Sequence, residues 1–594
     1  MKKYGAIHLV PRVIVQYVKV SGWFGLLEQT LAMLHGLSWA VGIIATQILF
    51  DAIVDASEGM IGFWQVAAPL AVLAAVTFGQ QLLNGIENFA SSEIEERNVS
   101  RYMVALLRKL QRIPAKHFEE SAFLDDVNKA REGPANLGYM AFVCLQFVTF
   151  YLVFFVAVAA YLFWLSPLLP LVILASFVPS LLGQLAHVKI FAKLEEENAP
   201  ERRRHDYYKK AIVDREFYKE TRILGAFRFF HKLFSESLQI VTHKTWQTER
   251  RAALIRLLLN LASFAGLGAS LYLLFAATMS GEISAGAFAA VFTSLSLVFS
   301  LMDEIVTRHF GSASEHIGKV ANYFRVMDMC ETGGDYGVPD FTRGIVAKGI
   351  GFSYPGQESA AVSAAISNLS LDIKSGETIA IVGENGAGKS TLVRLLSGIY
   401  SPDYGSVNIG GLDSKKHHPT GMFSRTSGVF QRYQCYKMTL ADNVKISNTS
   451  TTMQYDKIQH ALDSAEFNAK GLQLDAMLSP EFDGIDLSGG QWQRLAIARG
   501  LYRQNDFIVL DEPTAAIDPI EETRIYNQFK ELARDKCAII VTHRLGSARL
   551  ADRIVVMDKG EIVDIGTHDE LIARPGKYAD MWVAQASWYV EKTD

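Results

Sequence analysis

Apolar residues crowd into six long runs in the first half of the chain, near 26–50, 64–89, 139–163, 168–190, 254–279 and 284–309. A helix needs about 20 apolar residues to cross a hydrocarbon layer about 30 Å thick, and each run reaches that length. The third is the plainest, since Val143 to Trp164 carries no charge. Six buried core helices of this apolarity would require a far larger soluble body than the chain provides, so the pattern predicts a six-span α-helical transmembrane domain over 1–330. The long connections after the second and fourth runs keep a helical rhythm, as at Val104, Leu107 and Leu110, and hold few Gly or Pro. They are expected to prolong the membrane helices beyond the lipid. After a linker at 331–344 the rhythm changes, and short β-type runs alternate with helical ones through 345–594, the pattern of an α/β domain.

Charge sets the orientation. The connection between the second and third runs carries Arg97, Arg101, Arg108, Lys109, Arg112, Lys116, Lys129 and Arg131, and the next long connection carries Arg202, Arg203, Arg204, Lys209, Lys210, Arg250 and Arg251. The short connections 51–63, 165–167 and 280–282 hold no Lys or Arg. Basic loops stay inside, so a multi-pass protein of the cell membrane is expected, with both termini and everything after the sixth run in the cytoplasm. Across 594 residues, 58 Lys and Arg against 62 Asp and Glu give a net charge of -4, which argues against a nucleic-acid partner. Cys144, Cys330, Cys435 and Cys537 lie too far apart for a metal-ligand or disulfide pattern and are expected as free thiols.

The second half carries the chemistry. Ile379–Val382 reads as a strand that runs into Gly383-Glu384-Asn385-Gly386-Ala387-Gly388-Lys389-Ser390-Thr391 and then into the helical Leu392–Leu396, the strand, loop and helix order of a phosphate-binding loop. Its glycines let the backbone wrap phosphates, and the N–H groups and helix N-terminus favour the anion. Lys389 reaches the β- and γ-phosphates, and the Ser390 hydroxyl is placed to ligate Mg²⁺. A second buried-strand run, Phe507–Leu510, ends in Asp511, expected to hold Mg²⁺, and Glu512, expected to polarise an attacking water. His543 follows another strand, Ala538–Thr542, from which it reaches toward the γ-phosphate. ATP and Mg²⁺ are the expected ligands, with Glu512, His543 and Lys389 as the catalytic group.

Four further stretches make a resemblance explicit: Leu487-Ser488-Gly489-Gly490-Gln491, Val429-Phe430-Gln431, Ala516-Ile517-Asp518 and Phe352-Ser353-Tyr354-Pro355. Over roughly Ile345–Ile572 the chain resembles the nucleotide-binding domain of the ABC (ATP-binding cassette) transporters. The resemblance implies that Tyr354 stacks on adenine, that Gln431 joins Ser390 and Asp511 around Mg²⁺, partly through water, and that His543 is the switch histidine. It implies two such domains face to face, with Ser488, Gly489, Gly490 and Asp518 completing the ATP site of the opposite domain. One cassette per chain then implies a dimer, either a homodimer or a heterodimer with another half-transporter. Six spans followed by one cassette resemble the family's exporter half-transporters, whose inner loops bend into coupling helices, here expected near Phe118–Asp126 and Ile212–Glu220.

The cargo is narrowed by wording. Trp492 after the signature, Tyr433 and Tyr436 after Gln431, and Lys219–Gly225 in the second inner loop are similar to exporters of lantibiotics and related peptides. About 25 residues precede the first run, too few for the N-terminal cysteine protease that some peptide exporters carry. The expected function is ATP-driven export of a peptide-type or other amphipathic substrate by alternating access, in contact with membrane lipid. The same machinery suits a lipid or multidrug exporter, and a third alternative is an ATP-gated channel or regulatory subunit, against which Glu512 and His543 count. Polar groups in lipid tend to face a bundle interior, which makes His35, Gln47, Gln80, Asn84, Gln146, Gln184 and Asn260 candidate cavity residues. Asp303 and Glu304 either attract a cationic cargo or belong to a solvated extension of the sixth helix.

Overall fold

Helices form over the apolar runs and continue well past them. The computed structural model describes residues 6–214, 216–355, 364–431, 433–469, 471–512, 524, 529–531 and 533–586. The first half is α1 (Ala6–Ser57), α2 (Phe63–Arg112), α3 (Gly133–Gln146), α4 (Leu168–Val213), α5 (Phe227–Met279) and α6 (Ala285–Asp303). α3 runs on through a π turn at Phe147–Tyr151 and a further helical stretch, Leu152–Leu165. α6 runs on through a π turn at Glu304–Phe310 into α7 (Gly311–Met327). Among the described residues six helical segments are long and apolar enough to cross a membrane.

Sequence periodicity does not mark where α1 begins. Its first turns form a lead helix that buries Leu9, Val13 and Tyr17, spaced four apart, on one face. Gly22, at φ 60° and ψ -140°, then bends the chain into the first span, in a backbone region that an L side chain enters only under strain. The chain divides into two compact units, 1–110 with 125–329 and 111–124 with 330–594. In the first, Phe154, Val158, Leu169, Leu274, Ala287 and Val291 form a dry core. Phe78, Phe89 and Trp164 stay 71%, 75% and 75% exposed, as suits side chains whose solvent is lipid.

The second unit is built on two sheets. β1 (Ile345–Phe352), β2 (Ile366–Ile373), β4 (Tyr404–Ile409) and β5 (Leu412–Asp413) form an antiparallel sheet in the order β2-β1-β4-β5. β3 (Thr378–Gly383), β6 (Thr426–Val429), β7 (Phe507–Asp511), β8 (Cys537–Val541), β9 (Arg553–Asp558) and β10 (Glu561–Gly566) form the other, in the order β10-β9-β3-β8-β7-β6. All its pairings are parallel except β9 with β10. β7 and β8 are buried at every position, which is why they read as unbroken apolar runs rather than alternating ones. The hydrophobic core of this unit already includes Phe341, stacked on Phe507 with ring centroids 5.6 Å apart.

Candidate nucleotide-hydrolysis site

In an open parallel sheet, ligands gather at the carboxyl ends of the strands, and the register brings those ends level. Ile381 pairs with Val541, Asp511 with Val541, and Val429 with Leu510. The loop after β3, the acids ending β7, the turn after β6 and His543 after β8 therefore meet at one edge.

The loop after β3 is shaped by its glycines. Gly383, Gly386 and Gly388 hold φ of 153°, 83° and 96°. A Cβ on Gly383 would come within 2.4 Å of the Met557 carbonyl oxygen, and one on Gly388 within 2.6 Å of that of Ala365. The loop opens α8 (Lys389–Leu396). The buried Lys389 ammonium donates to the carbonyls of Gly383 (2.9 Å) and Glu384 (3.1 Å) and lies 4.0 Å from Glu512. Desolvation pulls the Lys389 pKa down, against the pull of Glu512 and Asp511. A buried cation in a glycine cradle at a helix N-terminus fits a polyphosphate.

The acids fit a hard divalent ion. Ser390 Oγ lies 3.5 Å from Asp511 Oδ1, so a hydroxyl and a carboxylate share one locus, a donor pair that suits Mg²⁺. Burial, and then the charge of Glu512, hold Asp511 above the usual carboxylate range. A bound cation relieves that penalty. Glu512 itself sits at φ 44°, and its backbone N–H donates to the Val541 carbonyl at 3.0 Å. Its carboxylate accepts from Gln431 Nε2 at 2.9 Å and lies 3.8 Å from His543 Nδ1. The structure thus turns the Gln431 amide toward Glu512.

The His543 and Glu512 pair shifts both groups. As polar partner and then as charge, Glu512 holds His543 above its ordinary pKa, and the same contact, with Lys389, holds Glu512 below its own despite partial burial. A raised histidine contributes stability that is complete below its unfolded pKa and is lost as pH rises through the folded value; a lowered carboxylate loses its contribution as pH falls through its folded value. The pair therefore stands between those two limits. NMR titration is expected to place His543 above 6.5 and to move it back toward 6.5 in Glu512→Gln. A wild-type value at or below 6.5 would remove the pairing.

Tyr354 is bound by its hydroxyl, 3.0 Å from Thr391 Oγ1 and accepting from Arg394 at 3.0 Å. The same unit folds in the short helical turn Ala115–Glu119 from the first inner loop. Tyr400 donates its hydroxyl proton to Glu119, and Arg394 lies 3.7 Å from that carboxylate. Lys116 donates to Asp403 at 2.6 Å, and Asp403 accepts from the backbone N–H of Ser353 at 2.8 Å. Two polar chains therefore tie residues 116 and 119 to the turn that carries Tyr354. In the sequence these inner-loop residues read only as a solvated helix face.

The signature stretch forms the start of α9 (Gly489–Tyr502), capped reciprocally by Ser488 and Gln491. Gly489 lends its carbonyl to the Tyr433 hydroxyl at 2.8 Å, which joins the turn after β6 to this helix. Trp492 is buried and donates its indole N–H to Asp486 at 3.2 Å, so it packs a core. Among the described residues of this one chain, Ser488, Gly489 and Gly490 are not partners of the loop after β3, while Asp518 lies outside the described residues.

Among the membrane candidates, Gln80 donates to the Ser38 carbonyl at 2.8 Å, Gln47 accepts from Tyr161 at 2.7 Å and Asn84 accepts from Asn88 at 2.8 Å. Gln184 is buried and Asn260 partly so. Asp303 ends α6 and Glu304 opens the π turn. His35 and Gln146 both contact Glu87, an acid that sequence reasoning missed although it falls inside the second apolar run.

Residues 366–515 match the ABC transporter family. The chain is 26% identical over 520 residues, 85% of its length and 83% of the other's, to a subtilin transport ATP-binding protein of Bacillus subtilis. It is 36% identical over 226 residues, 37% and 38% of the two chains, to a nisin transport ATP-binding protein of Lactococcus lactis. To an ATP-dependent lipid A-core flippase of Photobacterium profundum it is 32% identical over 309 residues, 50% and 51% of the two chains. A solved bacterial Atm1-family ABC exporter with ATP bound shares the fold, with a TM-score of 0.76 at 22% identity over 95% of this chain and 98% of that one.

Proposed function

We propose that this chain, which belongs to the ABC transporters and is built as an exporter half coupled to an ATPase, exports a peptide-type substrate as a homodimer with two composite ATP sites. The peptide reading rests on one observation: similarity to the subtilin transport protein runs through 85% of the chain, whereas similarity to lipid A-core flippases covers 50% to 59% of it. Cargo passes among the membrane helices, so the alignment that takes in more of them weighs more.

The site residues suit hydrolysis. Glu512 is kept ionised and is oriented from two sides by Gln431 and His543, as a general base requires. Lys389 supplies positive charge where negative charge develops. Ser390 and Asp511 would hold Mg²⁺, which would supply positive charge to the phosphates, and Gln431 is the further candidate ligand. The polar chains from Lys116 and Glu119 to the Tyr354 turn support coupling of adenine binding to the first inner loop, the device through which the bundle alternates access. The basic inner connections support cytoplasmic termini and a cytoplasmic ATPase.

Purified chain in lipid vesicles, with ATP turnover followed as cationic lantibiotic-type peptides, lipids and dyes are titrated, tests the cargo. Peptides are expected to stimulate turnover and to accumulate on the side opposite the ATPase. Stimulation and movement by lipid or dye alone would replace the peptide reading with the lipid or multidrug one.

A further inference from the structure

Two of the loops that form the hydrolysis site are touched by a helix that no sequence motif marks, α10 (Lys577–Ala586). Its packing ties it to the site. Tyr578 is fully buried in one core cluster with Ala380 and Val382 of β3 and with Leu545, two residues past His543, and Trp582 packs against that cluster. The Tyr578 hydroxyl lies 2.8 Å from His568 Nδ1. In the first turn, the Lys577 ammonium lies 2.6 Å from Asp558, which ends β9, and 3.3 Å from Glu384 in the loop after β3.

At the other end of α10, the half-buried Gln585 makes two bonds to the loop that carries His543. Its Nε2 donates to the His543 carbonyl, and its Oε1 accepts from the Leu545 N–H at 3.0 Å. One amide therefore spans residues 543–545 with both of its polar ends. Before His543 the chain is fixed by β8 and by the Thr542 N–H, which donates to the Ile381 carbonyl at 3.3 Å. After it comes the short helix Leu545–Ala548. Gln585 takes up the carbonyl between those two supports, and a held carbonyl fixes the peptide plane from which the His543 side chain projects. The His543 side chain is 48% exposed, so packing alone does not hold the ring, and its contact with Glu512 is already 3.8 Å. A small rotation of the backbone would part the two.

We infer that Gln585 is a positioning residue for ATP hydrolysis: by holding the His543 carbonyl and the Leu545 N–H, it sets the imidazole against Glu512. The inference rests on the reading of Glu512 and His543 as the hydrolytic pair. Gln585 touches neither nucleotide nor metal locus and acts through the loop alone. The bonds are directional, which makes the effect specific to an amide. In Gln585→Glu the side chain keeps its length and its acceptor for Leu545, but an ionised carboxylate has no proton to give and faces the His543 carbonyl as a second acceptor. The docking of α10, through Tyr578, and its hold on the loop, through Gln585, lie on different residues and are separable by mutation.

Steady-state ATP turnover of the full chain in lipid vesicles tests this. Gln585→Leu and Gln585→Glu are each expected to lower kcat about tenfold, short of the about 10²-fold that an ångström of misplacement can cost, with KM for ATP unchanged. Tyr578→Phe, which removes the bond to His568 from the same helix, is expected to keep the wild-type rate. His543→Ala is expected to lose more than either Gln585 variant. Adding Gln585→Leu to it should then cost nothing further, because a residue that acts through His543 has nothing left to act on. Losses that multiply in the double variant, an unchanged kcat in Gln585→Glu, or an equal fall in Tyr578→Phe would each overturn the proposal and leave Gln585 a structural residue. Wild-type turnover in His543→Ala would instead overturn the reading of His543, and the inference with it. Elution as wild type in gel filtration establishes that the variants fold.

Discussion

Glu512→Gln is expected to lower ATP turnover by about 10²–10⁴-fold, the range that a positioned general base contributes, while ATP binding persists. The substitution keeps shape: Gln tolerates φ 44° no worse than Glu, and the backbone N–H to Val541 is untouched. What it removes is a charge. Lys389 keeps its bonds to the Gly383 and Glu384 carbonyls, so the phosphate cradle stands. Asp511 loses the neighbouring charge that helps to hold its pKa up, so it ionises more readily and is a better metal ligand in the variant than in the wild type. Nucleotide affinity should hold or rise as turnover falls. Phosphate release and binding of a fluorescent ATP analogue separate the two. Unchanged turnover would remove Glu512 as the base, and equal loss of binding and turnover would make its role structural.

How much of this is written in the chain follows from how local each signal is. The spans show because each is a single uninterrupted run, and the phosphate loop shows because its glycines, Lys389 and Ser390 are contiguous between one strand and one helix. Ser488 and Gln491 read as part of a signature stretch, and the structure shows that they also cap the helix that follows. What stays hidden depends on partners far along the chain. Glu119 and Lys116 look like ordinary charges on a helix, and only the fold brings them to Tyr400 and Asp403. Glu28 and Glu87 lie toward the ends of apolar runs, where an acid reads as the edge of a span; their burial depends on three helices meeting. The bend at Gly22 and the two π turns are backbone events with no periodic signature. Trp492, whose place after the signature resembles peptide exporters, is accounted for by packing and one bond to Asp486, so it does not argue for a cargo.

Mixing two inactive variants should restore activity if the sites are shared between chains. Lys389→Ala removes the ammonium that balances Asp511 and Glu512, leaving two acids facing the phosphates. Gly490→Asp puts a negative charge at the start of α9, and a Cβ there meets nothing within 4 Å, so the helix accepts the change and the damage is electrostatic. Each alone is expected to cost about 10²-fold or more in turnover, as loss of a charge-stabilising group does. In a mixed dimer, one site combines both defects, whereas the other pairs an intact Lys389 with an intact Gly490. Equal amounts exchanged in detergent and reconstituted are then expected to recover roughly a quarter of the wild-type rate, since half the dimers carry one good site of two. If each chain built its site from its own signature, every site in the mixture would carry one defect and no activity would return. Recovery therefore reports both the dimer and the crossing of the signature helix into the partner's site, and its absence, with both variants folded and exchanging, would rule out that arrangement.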